Sequence, residues 1–122
     1  MSRSPTADSE LLTEHLLRCV EQVPPGRVAA YGVIGRIIGI GPRQVGALMR
    51  QYGAGVPWWR ITTAAGDLHP DILQRALPHW RSEGIDVRPD GRGCSYADYG
   101  IDPDAVAGDY RAAVSDIPPL RI

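Results

Sequence analysis

Two short segments joined by Gly39-Ile40-Gly41 constrain this chain more than any other feature. Tyr31 to Ile38 carries Ile34, Ile37 and Ile38 at helical spacing and stops at the glycine pair. Pro42 follows at once. A proline suits the first turn of a helix, where its missing N–H would have no intrahelical partner, so a second helix is expected from Pro42 to about Gln51. Tyr52-Gly53-Ala54-Gly55 ends it. Two short helices about a glycine turn make a helix-turn-helix pattern, which plain helical hairpins share.

The flanking segments predict what packs on this pair. Leu12, Leu16, Cys19, Val20 and Val23 fall on one face of a helix from about Ser9 to Val23, stopped by Pro24-Pro25-Gly26. Arg27 to Ala30 is a short extended entry. Trp59 to Thr63 and Asp67-Leu68 are expected to pair as a hairpin around Ala64-Ala65-Gly66, a wing. Asp71 to Glu83 is helical but interrupted at Pro78, because proline removes a helix hydrogen bond, so two short helices are expected. A second small hairpin is expected from Val87 to Tyr99 around Pro89-Asp90-Gly91. The predicted class is mainly α (α+β), a winged helix-turn-helix domain with a small wing hairpin. Residues 1–8 are expected to be disordered, 9–100 to form the domain, and 101–122 to be an acidic, Pro-rich and poorly packed tail.

With 122 residues and 43% hydrophobic content, one small globular domain with one core is expected. No run of 18 apolar residues marks a membrane span, and Met1 to Glu14 carries acids where a secretory signal would be apolar. Cys19 and Cys94 make no disulfide framework, so a reduced, intracellular setting, taken as cytoplasmic, is expected. His15, His69 and His79 do not combine with either cysteine at a metal-ligand spacing, and no metal or cofactor is expected.

The net charge of −1 argues against a nucleic-acid partner until its distribution is read. Between Glu21 and Asp67 no acid occurs, while Arg27, Arg36, Arg43, Arg50 and Arg60 fall there. The acids collect toward the ends, as in Asp8, Glu10, Glu14 and Glu21, and again from Asp86 to Asp116. A local basic surface suffices for phosphate binding, because the field falls off within roughly 8–10 Å at cellular salt.

Four pieces then occur in order: Pro25-Gly26-Arg27-Val28 with Tyr31-Gly32; Pro42-Arg43-Gln44-Val45-Gly46 with Met49; Val56-Pro57-Trp58-Trp59-Arg60; and Gly66. Together they resemble the DNA-binding domain of the O6-alkylguanine-DNA alkyltransferases, most densely from Pro24 to Gly66. In those enzymes the third piece reads Pro-Cys-His-Arg and the cysteine accepts the alkyl group. Here Trp58 stands where the cysteine would be and Trp59 where the histidine would be. An indole offers no nucleophile comparable to a thiolate, so alkyl transfer at this position is excluded. The chain thus looks like an alkyltransferase-like protein, and Gln74-Arg75, Ser82-Glu83-Gly84-Ile85 and Tyr96-Ala97-Asp98-Tyr99 look like that branch.

The resemblance implies roles residue by residue. Tyr31, Arg43, Gln44, Gly46 and Arg50 would bind DNA. Arg43 would enter the minor groove and fill the gap left by a flipped base, and Tyr31 would help rotate the nucleotide out. Tyr31, Met49, Pro57, Trp58, Trp59 and Arg60 would form the lesion pocket, with Trp58 giving a flat apolar face. Glu83 matches the acid that orients the family's histidine; with none here, a structural role beside Arg60 is expected. Some alkyltransferase-like proteins carry an arginine after the Gly66 position that contacts the modified base. Asp67 to Leu73 contains none, and His69 is the nearby cationic candidate. The expected function is non-enzymatic recognition of O6-alkylguanine in duplex DNA by a monomer, flagging the lesion for nucleotide excision repair proteins. Two alternatives stay open: a sequence-specific winged-helix regulator, and a transferase using a displaced cysteine.

Overall fold

The computed structural model describes residues 5–121. Helix α1 spans Pro5–Glu21. It therefore starts inside the stretch expected to be disordered, of which only residues 1–4 lie outside the described chain. Strand β1, Ala29–Ala30, leads into α2, Tyr31–Ile38, and then α3, Pro42–Tyr52. The turn between these two helices is built on glycine. Gly39 sits at φ 96° and donates its N–H to Gly35 O. Ile40 N–H donates to the same carbonyl at 2.8 Å. A Cβ on Gly35 would lie 2.4 Å from Ile40 O, so no larger residue fits this approach.

The mainly helical class stands, with a two-stranded sheet, but the strand pairing differs from the expected wing. Strand β2, Ile61–Thr62, pairs in parallel with β1, Ala29 opposite Ile61 and Ala30 opposite Thr62. It does not fold back on Asp67-Leu68. Thr63 N–H still donates to Asp67 O at 3.0 Å, closing the loop. Beyond it, Asp67 bridges antiparallel to Gly93 and Leu68 N–H donates to Arg92 O. Gly66, at φ 86°, and Gly93 allow this. A Cβ on Gly66 would lie 2.2 Å from Cys94 O, and one on Gly93 would lie 2.0 Å from Gly66 O. The expected second hairpin is reduced to a turn, with Arg88 N–H donating to Gly93 O at 2.7 Å.

Helix α4 is continuous over Pro70–Glu83 with Pro78 inside it, not two helices. Leu73, Ala76 and Trp80 form its buried stripe and hold both halves to one surface, while Pro78 faces outward. The Trp80 indole N–H donates to Trp59 O at 2.7 Å. A single helical turn, α5, covers Tyr96–Tyr99.

The C-terminal segment is not a loose tail. Helix α6, Pro103–Ala113, is capped by Asp102, whose carboxylate accepts the Asp104 N–H, and it packs on α1. Val106 and Tyr110 enter the main core beside Leu16, Cys19 and Ile34. His15, buried on α1, bonds the Tyr110 hydroxyl at 2.7 Å and Pro118 O at 2.8 Å. The apolar face of α1 is thus shared between α2, α3 and α6.

Two buried clusters result. One lies among α1, α2, α3 and α6. The other lies under α4 around Trp80, Leu68, Leu73 and Cys94. Trp58 packs against both and marks their seam. Among the described residues no helix is long and apolar enough to cross a membrane.

Candidate nucleic-acid interface

A cavity of about 630 Å³ opens between α3, the loop after β2 and the start of α4. Its position follows from the chain's punctuation. Val56 N–H closes on Gly53 O, which turns the chain back, and Trp58–Arg60 forms a 3-10 turn that delivers Trp58 to the cavity wall. Tyr31 at the start of α2, Arg43 on the first turn of α3, and Gly46, Met49 and Arg50 along α3 complete that side. Helix α3 begins on Gly41 with no side-chain cap, so its first N–H groups remain open to an acceptor from outside.

The Tyr31 phenol is pushed up from its ordinary value by burial, which the Arg50 charge partly opposes. It is therefore a neutral hydroxyl at physiological pH. Trp58 meets Trp59 edge-on at 5.7 Å and His79 edge-on at 5.7 Å. The Arg75 guanidinium lies 5.6 Å from the Trp58 ring centroid, and Arg75 lines the cavity. The loop itself carries no arginine, and this cation is carried on the exposed face of α4. His69, the cation expected from sequence, also lines the cavity, and its Nδ1 caps α4 by accepting the Asp71 N–H. Asp67 and Ile72 are further lining residues that the sequence did not single out.

Three residues expected in the pocket wall are not among those lining it: Pro57, Trp59 and Arg60. Glu83 holds two of them, Trp59 and Arg60. Arg60 donates to Glu83 from Nη2 at 2.7 Å and from Nε, shared between both carboxylate oxygens at 3.0 and 3.3 Å, and donates to Val23 O from Nη1 at 2.9 Å. Both members of this pair are partly buried, each side chain 11% exposed. The Trp59 indole N–H donates to Glu83 Oε2 at 2.8 Å, while its ring stacks on His79 at 3.7 Å. Gly26 N–H donates to Glu83 Oε1 at 2.9 Å. Burial pushes the Glu83 carboxyl up, but Arg60, Gly26 and Trp59 more than offset this and hold it below its ordinary value. Pro57 opens the 3-10 turn, its carbonyl accepting the Arg60 N–H. Gln44 is exposed on α3 and does not line the cavity.

Of the arginines in the acid-free stretch, Arg43 and Arg50 reach this cavity and Arg75 joins them from outside the stretch. Arg60 is turned inward, and Arg36 lines a separate cavity beside the C-terminal segment. Neither cysteine lines the site. Burial pushes the Cys19 thiol up to about 12 and the Cys94 thiol up to about 11, so both are protonated and poor nucleophiles. Among the described residues no group of three His, Cys, Asp or Glu stands where it could hold a metal ion.

The chain is similar to known proteins in sequence and in fold. Residues 12–84 match the family described as 6-O-methylguanine DNA methyltransferase, DNA binding domain. No curated protein sequence matches the chain. Among solved structures, S. pombe Atl1 in complex with damaged DNA containing O6-carboxymethylguanine superposes with a TM-score of 0.67 at 25% identity, covering 77% of this chain and 97% of that one. S. pombe ATL in complex with DNA superposes with a TM-score of 0.64 at 28% identity, covering 84% of this chain and 100% of that one. The chain belongs to the family of the 6-O-methylguanine DNA methyltransferase DNA-binding domain and is of its alkyltransferase-like type.

Proposed function

We propose that this protein binds duplex DNA containing O6-alkylguanine, receives the flipped base in the cavity at Trp58, and performs no covalent chemistry on it. The observation that carries the reading is the convergence on one cavity of Arg43, Tyr31 and Trp58, with an indole where the alkyl acceptor of the enzymes would stand. Arg43 is exposed on the first turn of α3, at the cavity rim, where a planar guanidinium fills the gap left by the extruded base and bonds its orphaned partner. Tyr31 supplies a neutral hydroxyl beside the same rim. Trp58 gives the base an apolar face, and Arg75 beside it brings a cation to the modified ring.

Energetics limit what the cavity does alone. Base–aromatic stacking contributes on the order of 1–3 kcal/mol. Extruding a base costs a few kcal/mol. The two are comparable, so the net affinity also draws on phosphate contacts, for which Arg50 on the same rim is placed. The partner implied by the S. pombe Atl1 complex is damaged DNA. A protein that holds a lesion and leaves it in place acts by being recognised, so the bound complex flags the site for nucleotide excision repair proteins.

The test is a binding titration at fixed salt, since phosphate contacts make affinity salt-dependent. Two short duplexes differ by one O6-methylguanine. Tighter binding to the lesion by about tenfold, or 1.4 kcal/mol, is the expected outcome. Equal binding overturns the reading in favour of a sequence-specific winged-helix regulator. Mass spectrometry of the protein after incubation is expected to show no added alkyl mass.

A further inference from the structure

Three arginines line the cavity, Arg43, Arg50 and Arg75, against a single carboxylate among the described lining residues, Asp67. Asp67 is also the first acid after the acid-free stretch. An acid at a surface that meets phosphates is repelled by them, so its presence there calls for a compensating interaction. Arg88 supplies one. Its Nη2 donates to Asp67 Oδ1, and its Nη1 donates to Ala65 O at 2.6 Å and to Cys94 O at 2.7 Å. The Asp67 backbone is fixed as well: its carbonyl accepts the Thr63 N–H at 3.0 Å and its N–H donates to Thr63 Oγ1 at 3.1 Å. The side chain is 30% exposed, and Oδ2 takes no hydrogen bond among the described residues. Arg88 also pairs with Asp90, from Nη2 at 3.1 Å, so Asp67 is a placed carboxylate that shares its cation, lines the cavity and keeps one oxygen without a hydrogen bond among the described residues.

We propose that Asp67 reads the 2-amino group of the base held there, so that the preferred ligands are purines carrying both a 2-amino group and an alkylated oxygen at position 6. This rests on the lesion-binding reading above. An ionised carboxylate only accepts hydrogen bonds. Alkylation of oxygen 6 turns N1 from a donor into an acceptor, which leaves the 2-amino group as the only donor on the pairing edge. Oδ2 is the complementary partner for that donor. Undamaged guanine presents N1–H beside the 2-amino group, a fork that two free carboxylate oxygens would match bidentately. Because Oδ1 is turned to Arg88, the fork finds one oxygen instead of two, and Asp67 gives undamaged guanine little advantage. Arg88 is then a positioning residue that sets which oxygen faces the base.

The experiment measures affinities of the whole protein, at fixed salt, for duplexes carrying O6-methylguanine, O6-methylhypoxanthine (the same base without the 2-amino group) or guanine at one position. Wild type is compared with Asp67→Asn, which keeps the shape and the Oδ1 acceptor for Arg88 but turns an amide N–H₂ toward the base, and with Asp67→Ala. Taking the ratio of the two alkylated ligands within each protein, and comparing proteins, cancels the different costs of extruding the two bases. A charge-assisted hydrogen bond at a partly exposed site predicts a wild-type preference for the 2-amino ligand roughly tenfold larger than that of either variant. The same preference in wild type and Asp67→Asn overturns the proposal while leaving lesion recognition intact, provided both proteins still favour O6-methylguanine over guanine. A wild type that does not separate O6-methylguanine from guanine overturns the functional reading and this inference with it.

Discussion

Trp59 takes a hydrogen bond that the sequence left unassigned. The resemblance pairs Glu83 with a histidine, and the histidine is absent, yet the indole N–H at this position reaches Glu83 Oε2 at 2.8 Å. A ring N–H in the same place satisfies the same carboxylate, so the exchange removes a titratable group and keeps a donor. The neighbouring residue, Trp58, is free of that network and faces the cavity. Two adjacent tryptophans thus have separate tasks, one structural and one at the site, and nothing in their sequence order distinguishes them. Arg75 shows the same limit. Its place over Trp58 depends on docking α4 against a turn that lies earlier in the chain. Replacing Arg43 and Arg75 separately tests their division of labour. Arg43→Ala is expected to lower affinity for the lesion duplex more than for the undamaged one, and so to lose most of the lesion preference in a titration at fixed salt. Arg75→Ala is expected to weaken the lesion complex by roughly 0.5–1 kcal/mol, the scale of an exposed cation–π contact, with little change on undamaged duplex. Equal losses on both duplexes for either variant would reduce that arginine to a phosphate contact.

At the scale of elements, α4 sets the register of the site. Pro78 has no N–H, so the Gln74 carbonyl lacks its helical donor, and local reasoning therefore breaks the helix there. The helix continues because Leu73, Ala76 and Trp80 are buried on one face and the Trp80 indole is tied to Trp59 O. Arg75 and His79 are held on that same continuous helix, four residues apart, where both meet Trp58. Since packing rather than propensity holds this helix, relieving the local conflict is expected to stabilise the protein. Pro78→Ala should raise unfolding free energy in urea by about 1–3 kcal/mol, up to the usual cost of an interior helix proline. An unchanged or lowered midpoint would show that the proline ring itself contributes packing. The helix pair α2–α3 behaves in the opposite way. Its ends, Gly39 and Pro42, are local signals, and the observed bounds Tyr31–Ile38 and Pro42–Tyr52 follow them to within a residue.

For the molecule as a whole, Glu83 joins what the sequence keeps apart: the turn after α1 through Gly26, the 3-10 turn through Trp59 and Arg60, and the end of α4. Its carboxyl is more acidic in the folded protein than its ordinary value of 4.5. The contribution to stability is therefore fully present above that value and is lost as pH falls through the lower folded value. Removing the charge from this partly buried, hydrogen-bonded pair costs about 1.5–3 kcal/mol. Glu83→Gln is expected to show that loss at neutral pH in chemical unfolding, and to lack the part of the acid-induced destabilisation that Glu83 causes in the wild type. Identical pH dependence in the two proteins would remove Glu83 from this role. By itself the sequence determined the helix pair, the mainly helical class, the acid-free stretch and the tryptophan pair between Pro57 and Arg60, because each rests on neighbouring residues or on identity alone. Only the tertiary structure decided that β2 pairs with β1 rather than with its own neighbour, that α6 is part of the core, and that Arg75 and Asp67 join Arg43 and Trp58 around one cavity. Those outcomes depend on which surfaces bury one another across long sequence separations, and local periodicity carries no record of that choice.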